Sequence, residues 1–567
     1  MLRHRIVAAG LVLVAAACRD DTPERVAGAI RTAVTRARAP EHVTRARWKL
    51  LATIYRDRGY TPLWTDGKHT RSRAHDLLAA ICGSEREGLH PAEYDLPGLR
   101  DELRAIHADK KLEPEEIAAL DLRLTTLFLD YGADLLAGRH ELMAADSGWF
   151  IRSRRSSMDS TLRVAALAPV FQEMVAPLRP RLREYRDLER TLAEYRAIEG
   201  RGGWAQVPAS RELRPGARGA AVAALRSRLA ATGDLAGEGN GEVRYDQQVA
   251  AALARFQERH GIEPDGKVGR ATLAALKVPV KARIRQIELN LERYRWLPNE
   301  FGPRYVLVNI PEYQLYAFDG GRKVIEQRVI VGGEYANATP VFVDSMTQIV
   351  FNPKWHVPAR VLADELLPRI QENMYFLAEH GYEVVDTSGD SVVTDPAAID
   401  WDEMDSADPG IQLRRKPGPG NPLGRVKFLF PNQFSVYLHD TPSRELFDRS
   451  KRTLSHGCVR VEKPAELATY ALHGQKGWDE EKVRKAMATA DTLERIDKPA
   501  ADTLVKERAV KLERPVPVYL VYLTAFVRNG VLNFRDDPYE RDAPALRRLE
   551  KTKPLDPEVC AELEELL

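Results

Sequence analysis

Residues 434–464 read FSVYLHDTPSRELFDRSKRTLSHGCVRVEKP. Alternation of Val436 and Leu438 with Tyr437 and His439 predicts a strand with the tyrosine and the histidine on one face. A turn-rich stretch follows, then Ser455-His456-Gly457-Cys458-Val459-Arg460. A free thiol with a pKa of about 8.5 is a weak nucleophile at neutral pH, and a neighbouring imidazolium lowers it to roughly 3.5–7.5. Cysteine attack on an acyl carbon therefore requires a histidine against the sulfur. His456 lies two residues from Cys458, where a turn directs its ring at backbone or substrate. His439 approaches from the adjacent strand. The assignment is Cys458 as nucleophile and His439 as general base and acid. Gly457 gives the turn its conformational freedom. Ser455 opens the turn, and the amides around Gly457 and Cys458 can point at an oxyanion, each contributing about 2.7–4 kcal/mol. The Tyr437 hydroxyl can assist there. Arg460 suits a substrate carboxylate or a buried structural acid.

Plainer readings compete. A lone cysteine is more often a buried apolar residue than a nucleophile, but His439 and the His-Gly-Cys run reverse that judgement. A zinc site on His439, His456 and Cys458 has enough ligands for catalysis yet no fourth ligand or supporting shell in the sequence. Neighbouring strand residues point oppositely, so the Asp440 side chain is left out of the catalytic set. Trp355 and His356 either pack in a core or line a groove. Cys82 and Cys560 are either isolated thiols or one disulfide across distant segments.

Around this motif the pattern is β-rich. Period-two runs occupy 305–310, 313–318, 324–331, 348–351, 425–430 and 434–438. Asn529-Gly530 between 517–527 and 531–534 is a hairpin signal, so C-terminal sequence is expected to complete this domain. Residues 361–423 read as a long irregular insertion, a lid candidate. Upstream, 213–276 carries three short amphipathic helices. Before that, Ile117, Leu120, Leu124, Leu127, Tyr131 and Leu135 make one helical face, and Arg181–Ile198 reads as a helix with a solvated charged face closed by Gly200, Gly202 and Gly203.

A chain of 567 residues with 44% hydrophobic and 29% charged residues is multidomain and globular. Its 84 basic and 82 acidic residues leave a net charge of +2, and nothing argues for nucleic acid. Arg3, His4 and Arg5 precede an apolar run, Ile6–Ala17, too short to span a bilayer of about 30 Å. It reads as an export signal. Lipidation at Cys18 and simple cleavage after Ala17 both fit, and either way the expected location is the periplasm. A lipid anchor at Cys18 would be the sole membrane attachment.

SHGCVR with the upstream YLHDTP resembles the signature of YkuD-type L,D-transpeptidases. YTPLWTDG (60–67), LHPAEYDLP (89–97), ERYRWLP (292–298), FNPKWHVP (351–358) and PGPGNPLGRVKFLFPN (417–432) extend the likeness to the large YcbB-like members. The three-helix stretch resembles a peptidoglycan-binding-like module. The implied architecture is multidomain α+β: signal 1–17, tether 18–42, helical scaffold 43–204, peptidoglycan-binding-like module 210–278, mostly β catalytic domain 303–485 with lid 361–423, and a C-terminal extension 486–567 completing it. The resemblance implies a thioester on Cys458, His439 as base, and a lid capping the groove. It implies cross-links between the diaminopimelate residues of peptidoglycan stems, with wall synthases as partners and carbapenem-type inhibitors acylating Cys458. No cofactor and no metal are expected. A cysteine hydrolase of the same stems and an inactive wall-binding scaffold are the alternatives.

Overall fold

The apolar stripe Ile117, Leu120, Leu124, Leu127, Tyr131 and Leu135 is buried along helix Pro114–Ala137. The computed structural model describes residues 22–35, 39–40, 43–66, 69–108, 113–151, 154, 157–211, 213–237, 243–386, 392–393, 395–401, 410–418, 420–488 and 506–567. The export segment and Cys18 lie outside them. The chain forms two compact units, one from residues 1–137, 157–179 and 552–567, the other from 138–156 and 180–551.

The first unit is helical. Its long helix carries a buried carboxylate, Asp121, that receives the backbone N–H groups of Leu63 (2.8 Å), Trp64 (2.8 Å) and Thr65 (2.9 Å) and the Tyr55 hydroxyl (2.5 Å). The segment 60–67 is thus tied to the helix by a carboxylate whose burial is compensated by donors on every side. Trp64 Nε1 donates to Thr125 Oγ1 one turn on.

Three expectations about boundaries change here. Residues 18–42 are not simply a tether: Thr22–Thr35 is a helix burying Val26, Ile30 and Val34, whose four-residue spacing makes one apolar edge. Helix Arg183–Gly200, within the 43–204 predicted as scaffold, packs in the second unit, where Tyr185, Leu188, Leu192, Tyr195 and Ile198 are buried beside helix Val280–Trp296. The C-terminal extension divides, because helix Pro557–Leu566 buries Val559 and Leu563 in the core of the first unit. A disulfide joins Cys82 to Cys560 across 478 residues, resolving that pair.

In the second unit, helices Ala220–Ala231, Gln247–Arg259 and Arg270–Lys277 form the three-helix module around Val222, Leu225, Leu229, Val249, Leu253 and Phe256. It is fastened to the β part by His260, whose ring stacks between Phe256 (3.9 Å) and Phe534 (5.5 Å).

The strands of the β part are β1 (Arg304–Asn309), β2 (Gln314–Asp319), β3 (Arg322–Gly332), β4 (Phe342–Phe351), β5 (Trp355–His356), β6 (Tyr382–Asp386), β7 (Ile411–Arg415), β8 (Val426–Leu429), β9 (Leu438–His439), β10 (Thr453–Ser455), β11 (Val459–Val461), β12 (Arg508–Val521), β13 (Ala525–Arg528) and β14 (Val531–Phe534). The main sheet runs β10-β3-β11-β9-β8-β4-β12-β1-β2, and pairing of β2 with β3 closes it on itself. C-terminal sequence does complete it, but through β12, inserted between β1 and β4. The hairpin at Asn529-Gly530, both with positive φ, is a separate ribbon of β13 and β14.

The described residues of the insertion at 361–423 supply two strands, β6 and β7, that join the preceding β5 in a three-stranded sheet, β5-β7-β6, beside a core of Val361, Leu362, Leu366, Ile370, Phe376, Trp401 and Leu413. Trp355 packs against this core, whereas His356 is exposed and bonded to Gln412 at 3.1 Å.

Replacing Cys82 and Cys560 together by serine is expected to lower the stability of the helical unit by ~2–5 kcal/mol. Calorimetry should show its transition moving down while that of the β-containing unit stays.

Candidate active site

Two very short strands build the site. β9 and β11 pair in parallel, with Leu438 opposite Val459 and His439 opposite Arg460. One residue back, Val459 N–H donates to Tyr437 O at 3.1 Å, so Cys458 enters the sheet beside Tyr437. Tyr437 and His439 share a face, their rings 5.7 Å apart.

The turn ahead of the cysteine is stapled from within. Ser455 Oγ donates to Cys458 O at 2.5 Å and accepts the Gly457 N–H at 3.2 Å. Gly457 has φ +113, a conformation that a residue with a Cβ rarely adopts. The expectation that amides of both Gly457 and Cys458 face an oxyanion is corrected accordingly: the Gly457 N–H is already consumed by Ser455, and the Cys458 N–H is the donor left.

His439 is buried, and its Nδ1 lies 2.6 Å from Asp440 O. A carbonyl only accepts, so Nδ1 carries the proton and Nε2 is the basic nitrogen. The Asp440 carboxylate points elsewhere, to Arg425 N (2.9 Å) and Arg444 (3.1 Å). Asp440 orients the base through its backbone alone. Burial, reinforced by the Arg460 charge, pushes the His439 pKa down to about 3, so the ring is neutral at rest.

Cys458 is half-buried, its Sγ 3.8 Å from Ser435 O. Desolvation pushes its thiol up, opposed by the Tyr437 N–H, the Tyr437 hydroxyl and the Arg460 charge. Desolvation thus acts on the thiol in the direction opposite to the imidazolium effect expected from the sequence. Tyr437 is pushed up too, by burial first and then by Cys458, and stays a hydroxyl donor.

Arg460 finds no buried acid. Its Nε is buried without a partner, and among the described residues no carboxylate pairs with it. His456 turns away from the main sheet, its Nε2 2.7 Å from Glu365 Oε1. Glu365 sits in a π-helical turn, Leu362–Leu366, of the insertion, so the insertion touches the catalytic turn directly. Neither Glu365 nor the Thr339 hydroxyl, which donates to Gly457 O at 2.8 Å, carried a sequence signal, since each acts through one long-range contact. A cavity of 1710 Å³ reaches Thr339, Arg452 and Arg259, but neither His439 nor Cys458 lines it. Among the described residues no group of three or more His, Cys, Asp or Glu side chains is arranged to hold a metal.

Three family models match the chain: "Scaffold domain" over residues 49–192, "Putative peptidoglycan binding domain" over 218–276, and "L,D-transpeptidase catalytic domain" over 303–483. A Haemophilus influenzae protein described as "Putative L,D-transpeptidase" is 35% identical over 252 residues, covering 44% of this chain and 47% of that protein. The chain thus spans about half the length of this curated relative. A solved L,D-transpeptidase fragment (residues 123–326) from Xylanimonas cellulosilytica aligns at 16% identity over 55% of this chain and 99% of that one, with a TM-score of 0.18. Along one polypeptide the chain thus carries, in this order, matches to a scaffold domain, a putative peptidoglycan binding domain and an L,D-transpeptidase catalytic domain.

Proposed function

We propose that this chain forms peptidoglycan cross-links between diaminopimelate residues through a thioester on Cys458. The observation that carries the reading is the parallel pairing of β9 with β11, which sets His439 opposite Arg460, two residues beyond the half-buried Cys458. Attack forms the S–C bond as the thiol proton passes to His439 Nε2. Negative charge on the former carbonyl oxygen meets the Cys458 N–H and the Tyr437 hydroxyl. Collapse breaks the C–N bond, and the imidazolium protonates the departing D-alanine amine. The side-chain amine of a second stem then attacks the thioester, giving its proton to His439 and returning the thiol. Because both partners rest neutral, proton transfer accompanies attack.

Stem peptides carry carboxylates, and Arg460 is the cation placed to take one. The insertion, held to the catalytic turn by Glu365 and His456, acts as a lid over the groove. The Cys82–Cys560 disulfide favours an oxidising compartment, consistent with export to the periplasm. Carbapenems would acylate Cys458 by the same attack.

Incubation with purified tetrapeptide stems is expected to give cross-linked dimer and free D-alanine, and Cys458→Ala to give neither. His439→Ala should lower the rate by ~10²–10⁴-fold. Tripeptide alone, without dimer, would instead mean hydrolysis. Alkylation of Cys458 by iodoacetamide, followed against pH, should show an inflection above that of an ordinary cysteine. Arg460→Met should move that inflection higher, because a nearby cation favours the thiolate. His456→Ala and Glu365→Ala should each slow transfer modestly and by similar factors, and the double variant should be no slower than either, as a single shared contact requires.

A further inference from the structure

Behind the catalytic turn lies a hydrogen-bonded clamp whose orientation is fully determined. Thr339, 1% exposed, stands between the end of β3 and β4. Its hydroxyl accepts the Gly332 N–H at 2.9 Å, so its own proton is committed to Gly457 O at 2.8 Å. The Thr339 N–H donates to the Tyr539 hydroxyl at 3.3 Å, and that hydroxyl donates to Gly332 O at 2.8 Å. Tyr539 is held in turn, its N–H donating to the Tyr522 hydroxyl at 3.0 Å. The packing leaves no slack. A Cβ on Gly332 would run into Asn337 O and stand 2.8 Å from Thr339 N and 2.9 Å from Gly457 Cα.

The consequence lies in the geometry of one peptide unit. The carbonyl of Gly457 and the N–H of Cys458 belong to the same planar trans group and point in opposite directions. Anchoring the carbonyl on Thr339 aims the amide away from Thr339. Among the described residues no hydrogen bond engages the Cys458 N–H, while the Gly457 N–H is spent on Ser455. Gly457, at φ +113, has the freedom to let this unit rotate. Rotation would present a carbonyl where the developing oxyanion needs a donor.

We propose that Thr339, braced by Tyr539, is a positioning residue that aims the Cys458 amide at the oxyanion formed when the thiol attacks an acyl carbon. The proposal rests on the acyl-transfer reading of Cys458. Thr339 touches neither the sulfur nor the acyl group, and it acts through the peptide it holds.

The test compares two reactions of the same sulfur in the full chain. Acylation by a carbapenem, followed by intact mass, passes through an oxyanion, whereas alkylation by iodoacetamide does not. Thr339→Val should slow acylation on the order of tenfold to a hundredfold, as a misdirected catalytic group does, and leave alkylation within about twofold. Thr339→Ser, which keeps the hydroxyl, should recover most of the loss, and Tyr539→Phe should show a smaller selective slowing. Equal slowing of both reactions in Thr339→Val would overturn the proposal in favour of general damage to the turn. Acylation at the wild-type rate in that variant would overturn it as well. A wild-type chain that is alkylated but never acylated would instead remove the acyl-transfer reading beneath it.

Discussion

The pairing of β9 with β11 is the constraint on which the site depends. Only two residues of β9 and three of β11 form regular strand, yet their register sets His439 beside Arg460 and brings Cys458 in next to Tyr437. A slip of one residue would turn Arg460 to the opposite face and take the cysteine with it. The register does not rest on those few hydrogen bonds alone. β11 also pairs with β3, β9 with β8, and Leu438, Val459 and Val461 are fully buried. The closed sheet acts as a jig for two strands too short to hold a register unaided.

Burial then decides the electrostatics. The same desolvation that lowers the imidazole's basicity raises the thiol, and the Arg460 charge works on both groups. Both groups are thereby held in their uncharged forms.

Legibility in the sequence followed the range of the interactions. The stripe on helix Pro114–Ala137 and the hairpin turn at Asn529-Gly530 were readable because periodicity and turn chemistry are local. His439 and Cys458 were readable as a motif, although only the register brings their strands together. The helix at Thr22–Thr35 was missed because its apolar edge is narrow and its neighbours are Arg, Thr and Ala. The insertion's core was hidden because its apolar residues are scattered among Asp, Gly and Pro and meet only in three dimensions. The spent Gly457 amide and the free Arg460 were beyond sequence altogether, since each depends on which partner arrives. Both residues had been singled out, but their availability could not be read.

The bond between Cys82 and Cys560 has a consequence for biosynthesis. A polypeptide emerges from its N-terminus, yet the helical unit needs helix Pro557–Leu566 to close its core, and its thiol partner arrives 478 residues late. During translation Cys82 has no access to its mate until the last helix has been made. The helical unit is therefore complete only once the end of the polypeptide has been made, and its covalent closure is the last step of its assembly.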